Sequence, residues 1–344
     1  MSIFSMTRRS AVFTGAALFS VGCKGRTQAD AEMAETVMNW RLGPALPFAV
    51  QEIYPTLHKG QIHLAGGFIS DGDTISGVTD RHVVLDLENG VWTDLANLPT
   101  PRHHPNLISF EDHLLAIGGF QSESEEAAWV MQAGVWAFDG NKWSDAPALP
   151  QPNGESVTAV LGPQLHVCGG RAPSGDSNAT WNDHTDIGDH FVLSSLDGTG
   201  TSAAPLPSAR NSAASAVIGD AWHVVGGRTV SGGNTPAHEV YDAREDRWRT
   251  AALMPQGQGG LAAASIEGRL YAFGGEFFDN GGGVYPEAWM YDPETDRWSA
   301  LPDMPHPRHG LGAVTVEDEI YVIGGALRVG GSQTSNLVEV FSPA

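Results

Sequence analysis

A chain of 344 residues with 41% hydrophobic content, 42 glycines and 21 prolines holds enough apolar matter for a packed core and too many breakers for long helices. Its formal charge of −21 repels phosphate backbones and anionic bilayers, so no nucleic-acid partner is expected. Two cysteines, Cys23 and Cys168, cannot build a disulfide framework, and stability has to come from packing.

In chain order, residues 1–22 read as an export signal: Thr7, Arg8 and Arg9 form a basic start, and Ala11 to Gly22 is an apolar run too short to span a bilayer. Arg8 and Arg9 resemble a twin-arginine signal, while a general secretory route stays open. Ser20, Val21, Gly22 and Cys23 resemble a bacterial lipoprotein cleavage box. A lipid on Cys23 and simple cleavage are both open, and that lipid is the only membrane contact expected. The expectation is therefore an exported protein, periplasmic or held in the cell envelope as a lipoprotein. Removing the leader leaves 17 basic against 40 acidic residues. Residues 23–35 read as a linker.

From residue 36 to 344 the chain repeats itself. Six apolar segments run into a glycine pair: QIHLAGG (Gly66, Gly67), HLLAIGG (Gly118, Gly119), QLHVCGG (Gly169, Gly170), AWHVVGG (Gly226, Gly227), RLYAFGG (Gly274, Gly275) and EIYVIGG (Gly324, Gly325). The first glycines lie 52, 51, 57, 48 and 50 residues apart. After each pair come a variable stretch, an alternating strand, a turn and usually a tryptophan followed by Leu-Pro. EVYDAREDRW, ending at Trp248, and WMYDPETDRW, ending at Trp298, are the clearest copies. The third, FVLSSLDGTGT, has lost both aromatics. A period near ~50 residues with four short strands per copy is the mark of propeller blades. The last copy stops before any tryptophan, and NWRLGPALP at the other end, with Trp40, supplies the missing fourth strand. An all-β, six-bladed propeller is predicted over 36–344, its last blade closed by the N-terminal strand, and a monomer is expected because closure leaves no open sheet edge.

These glycine pairs, with a tyrosine and tryptophan six or seven residues apart further on, resemble the repeat of the kelch family over nearly all of 36–344. The resemblance implies wedge-shaped sheets whose glycines permit close backbone approach and whose aromatics fill the gaps between neighbours.

Aligned on the glycines, the sixteenth residue before each pair is Val50, Arg102, Asn153, Arg210, Gln258 or Arg308. These positions are expected to begin the innermost strands. Two residues on stand Glu52, His104, Glu155, Ser212, Gly260 and Gly310; between them lie Gln51, His103, Gly154, Asn211, Gly259 and His309. Propeller geometry puts them at the mouth of the central channel, on the face that also receives the variable stretches, whose first residues include Arg171, Arg228 and Glu276. Arginines, carboxylates and histidines converging there suit a small polar ligand, a sugar or sugar acid. Arg102, Arg210 and Arg308 carry an equal structural reading, as bridges to backbone carbonyls around the channel. The loop WNDHTDIGDH, with Asp183, His184, Asp186, Asp189 and His190, offers metal-ligand atoms at close spacing but lacks an established metal pattern, so a metal there stays open beside the favoured reading as a solvated acidic loop; no metal residues are assigned and no cofactor is expected.

Three functions follow from the resemblance. The first is ligand recognition at the channel mouth. The second is a mutarotase or epimerase similar to the periplasmic kelch proteins that interconvert sialic acid anomers, with Glu52, Glu155, Glu276, His103 or His104 exchanging protons and Arg210 or Arg228 holding the acid. The third is a scaffold for another protein. A copper oxidase like the galactose oxidases is disfavoured, because Cys168 lies in an apolar strand. The residues assign no catalytic group.

Overall fold

The computed structural model describes residues 39–71 and 73–343. The expected export signal, the linker and Cys23 lie outside the described residues. What is described is all β apart from two single turns of 3-10 helix, Trp181–Asp183 and Asp279–Gly281.

Six four-stranded antiparallel sheets follow one another along the chain, each running from an inner to an outer strand. We number them as blades 1 to 6. Blade 4 is typical: Ala214–Ile218, Ala221–Val225, His238–Asp242 and Arg247–Thr250. The second strand of each blade is the most deeply buried, because the residues before the glycine pair lie between two sheets and have no solvent face. The inner strands, Thr56–His58, Asn106–Phe110, Val157–Leu161, Ala214–Ile218, Ala262–Ile266 and Gly312–Val316, each neighbour the next, and the sixth neighbours the first. In blade 6 the outer strand is Asn39–Leu42, paired with Val338–Ser342 in the register Trp40↔Phe341. The first and last described strands thus share one sheet.

The repeat tryptophans join blades. Trp92, Trp143, Trp248 and Trp298 donate their indole N–H to the carbonyls of Pro44, Ala96, Ala204 and Ala252 in the preceding blade at 2.8–2.9 Å, and Trp40 does the same to Pro302 at 3.2 Å. A second device sits beside three of these latches. His63 pairs with His82, His166 with His190 and His223 with His238, at 2.8–2.9 Å between ring nitrogens. The other nitrogen of His82, His190 and His238 faces the same alanine carbonyl that the next blade's tryptophan uses. Burial holds these imidazoles neutral: it pushes His63 and His223 down to about 3, and His82, His166 and His238 to about 4.

Blade 3 shows how the degenerate copy folds. Gly200 stands where the others have tryptophan, and the outer strand shrinks to Thr201–Ser202. The ring of Phe191 lies against Gly200 so closely that a Cβ there would overlap it. The aromatic that the repeat lost is therefore partly replaced from the neighbouring strand. No tryptophan latch joins blade 3 to blade 2, and a cavity of about 370 Å³ lined by Leu149, Pro150, Phe191 and Pro205 opens at that seam.

Candidate functional site at the channel mouth

The segment entering each inner strand makes a left-handed turn at the same aligned position: Glu52, His104, Glu155, Ser212, Gly260 and Gly310 all have φ between 49° and 69°. The turn breaks the extended run, so the inner strands begin later than the sequence predicted, at Asn106 rather than Arg102 and at Ala214 rather than Arg210. At four of the six positions it also aims the N–H at the neighbouring blade. Glu52 donates to the Gly310 carbonyl, His104 to Glu52, Gly310 to Gly260 and Gly260 to Ser212, at 2.7–3.0 Å, which stitches most of a ring around the axis. Glycine adopts this conformation freely, whereas Glu52, His104, Glu155 and Ser212 hold it against a cost of roughly 1 kcal/mol or more each. The four side chains so placed meet one another in a single cluster. Gly310 has a further reason: a Cβ would sit 2.7 Å from the Glu52 carboxyl.

The side chains above this ring form one network of alternating charge. Glu52 Oε2 meets His104 Nε2 at 2.8 Å. His104 Nε2 also faces Glu155 Oε1 at 3.8 Å. Glu155 forms an ion pair with Arg171, Oε2 to Nε 2.6 Å, and accepts the Ser212 hydroxyl at 2.7 Å. Arg228 lies between Glu155 and Glu276, at 3.7 and 2.6 Å. His309 Nδ1 closes the loop between Glu276, at 3.5 Å, and Glu52, at 3.4 Å. Proton positions follow from the fixed partners. His103 Nε2 donates to the Ala128 carbonyl, so its Nδ1 accepts from His104 Nδ1–H; a proton must then lie between His104 Nε2 and Glu52. Burial would raise the Glu52 pKa, but His104 and His309 outweigh it and hold the carboxyl well below its ordinary range. Burial opposes a charge on His309, yet Glu52 and Glu276 raise it above the ordinary value.

Over this floor stands a well of about 430 Å³ to which every blade contributes a wall. Phe68 and Ile75 come from blade 1, Trp129 from blade 2, Trp181 from blade 3, Arg228 to Val230 from blade 4, Phe278 from blade 5, and Gly330 and Gly331 from blade 6. A hairpin after the first glycine pair, Phe68–Asp71 with Thr74–Val78, leans over to bridge Ser332 of blade 6. Trp129 packs edge-on against Trp181, whose ring covers the Arg171 guanidinium. Phe278, 62% exposed, stands at the rim. Below the charged ring the channel continues as a cavity of about 200 Å³ lined by small residues such as Ala213, Ala263 and Ala313.

Of the residues nominated from sequence, Glu52, His104, Arg228 and Glu276 line the well. Glu155, Arg171 and His309 are buried directly behind them in the network. His103 is stacked between Phe68 and Phe120 and serves to orient His104. Arg102, Arg210 and Arg308 are elsewhere. Each donates to the carbonyl of the first glycine of its own blade, Gly118, Gly226 or Gly324. Arg210 and Arg308 also bind the buried Glu239 and Glu339, so their guanidiniums are bonded inside the blades. The loop around Asp183 does not converge on a metal: Asp183 caps the backbone of Ala179 and Thr180, Asp186 holds Asn211 and Val230, Asp189 takes Gln151 and His190 belongs to a seam. Missed altogether were Trp129, Phe68 and Phe278. The available signal was that Trp129 and Trp181 fall in connecting stretches where no other copy has a tryptophan.

A family model described as Kelch motif matches residues 259–305 and 307–344. The kelch motif is therefore present in blades 5 and 6. Among curated kelch relatives, Kelch-like protein terF of Aspergillus terreus is 25% identical over 276 residues, covering 78% of this chain and 59% of its own length. Beta-scruin of Limulus polyphemus is 25% identical over 250 residues, covering 71% of this chain and 26% of its own. The chain thus spans less than two thirds of the length of either. The solved structure of YjhT superposes with a TM-score of 0.70 at 17% identity, over 88% of this chain and 96% of that one, a likeness that shows the propeller fold alone. Kelch repeats build interaction modules, and the well is where this one offers side-chain chemistry.

Proposed function

We propose that this kelch propeller is a recognition module that binds a small polar ligand of carbohydrate type in the well at the channel mouth. The observation that carries the reading is the combination in one cavity of aromatic walls, Phe68, Trp129, Trp181 and Phe278, with a hydrogen-bonding floor of Glu52, Arg228 and Glu276. Aromatic faces stack on the C–H faces of sugar rings, carboxylates accept hydroxyl protons, and a well of this volume fits one or two rings. Indole fluorescence and calorimetry with neutral sugars, amino sugars and sugar acids test it. Saturable binding that Trp181→Ala weakens supports the reading; no response from any of the three classes refutes it.

One observation favours a second reading. The proton shared by His104 and Glu52 opens onto the well, where it could assist sugar ring opening. Magnetization-exchange NMR on a bound reducing sugar distinguishes catalysis from binding, because only catalysis accelerates anomer exchange. Export to a bacterial cell envelope is the setting we propose, on the strength of the basic and apolar pattern of residues 1–23.

A further inference from the structure

We propose that Glu52, Glu276 and His309 hold one divalent transition-metal ion of the zinc class at the floor of the well. His309 is 1% exposed, and its Nε2 donates to the carbonyls of Arg328 and Gly330 at 2.9 and 3.0 Å. That bond fixes the ring so that Nδ1 points at Glu52 Oε1 and Glu276 Oε2, 3.4 and 3.5 Å away. At those positions Nδ1 makes no hydrogen bond. Each carboxylate has its other oxygen occupied: Glu52 Oε2 by His104 Nε2 at 2.8 Å, Glu276 Oε1 by Arg228 Nη1 at 2.6 Å. Glu276 Oε2 takes in addition the N–H of Gly330.

Three lone-pair atoms therefore converge within 4.8 Å of one another, and a cation has to lie between them. The spacing fits a metal. Nitrogen and oxygen ligands about 2.0–2.2 Å from a tetrahedral ion lie roughly 3.3–3.5 Å apart, which is the separation found from Nδ1 to both carboxylates. The surroundings fit as well. A ligating histidine commonly donates its second nitrogen to a carbonyl, and ligating carboxylates are held by donors on their free oxygens; both features are present. Imidazole with two carboxylates is a mixed donor set that suits zinc and its first-row neighbours. Glu52 and Glu276 line the well, so the fourth coordination position faces it and would take water or a ligand oxygen. A proton on Nδ1 is the competing occupant.

The inference goes beyond the sugar reading and is tested without sugar. The full chain, stripped with a chelator, is titrated with Co²⁺, which reports four-coordination through its visible absorption, and with Zn²⁺ by calorimetry. The expected result is about one ion per chain. Affinity should fall by about 100-fold or more in His309→Gln and in Glu276→Gln, and stay unchanged in the surface variant Asp94→Asn. Glu52→Gln, at the more open ligand, serves if the buried variants fail a thermal-melt check. No saturable uptake by the wild type would assign the position to a proton and overturn the proposal, as would uptake that survives both His309→Gln and Glu52→Gln.

Discussion

Histidines occur in this propeller in two settings, and the contrast between them separates scaffold from site. In the seams, His63–His82, His166–His190 and His223–His238 face one another and a backbone carbonyl, and burial outweighs the carbonyl's opposing effect and keeps them neutral. At the mouth, His104 and His309 face carboxylates, and at His309 the same burial is outweighed by their charge. The arginines divide the same way. Arg210 and Arg308 bridge carbonyls within blades, whereas Arg228 sits between two carboxylates at the wall of the well. A polar side chain pointed at backbone holds the ring together; one pointed at another blade's side chain forms the floor of the well.

The largest effect expected comes from opening the ring. Deleting residues 39–46 removes the strand paired with Val338–Ser342, the Trp40 packing on Phe273 and Phe341, and buried Leu46. Loss of the cooperative thermal transition, rather than a shift of a few degrees, should follow. Next comes Arg210→Met, which strands the buried carboxylate of Glu239 and should cost about 3–5 kcal/mol in urea melts while leaving ligand affinity unchanged.

Acid should weaken the seams in a defined window. The six dyad histidines have folded pKa values depressed below the unfolded value near 6.5, so between pH 6.5 and about 4 the unfolded chain binds more protons than the folded one. Stability is full above pH 6.5 and declines as the pH falls toward 4. Replacing both members of a dyad with Leu and Met should flatten that slope by about a third. A smaller effect separates two glycines at equivalent turns. Gly310→Ala and Gly260→Ala should each cost about 1 kcal/mol for the left-handed backbone, but only Gly310→Ala, whose new methyl meets Glu52, should also weaken binding.

The propeller fold was legible because its determinants are periodic. Six glycine pairs and four tryptophans in register announce their copies, and Trp40 out of place at the start announces closure. The position of the mouth was legible for the same reason, since aligned residues in a ring meet at the axis. What the alignment could not resolve was direction. Arg210 and Glu52 lie two columns apart, yet the left-handed turn at the second column sends one into the blade and the other to the well. Nor could it find Trp129 and Phe278, which come from loops whose lengths share no period, or Phe191 filling the gap above Gly200, a replacement made across strands.

The most direct test of this division is to measure Glu52→Gln and Arg210→Met side by side, each for melting temperature and for affinity toward the sugar that binds the wild type. The account predicts that Glu52→Gln loses at least about tenfold in affinity and melts near the wild-type temperature, while Arg210→Met melts lower and binds as the wild type does. Equal losses of affinity in the two variants, or a stable Arg210→Met chain that no longer binds, would contradict it.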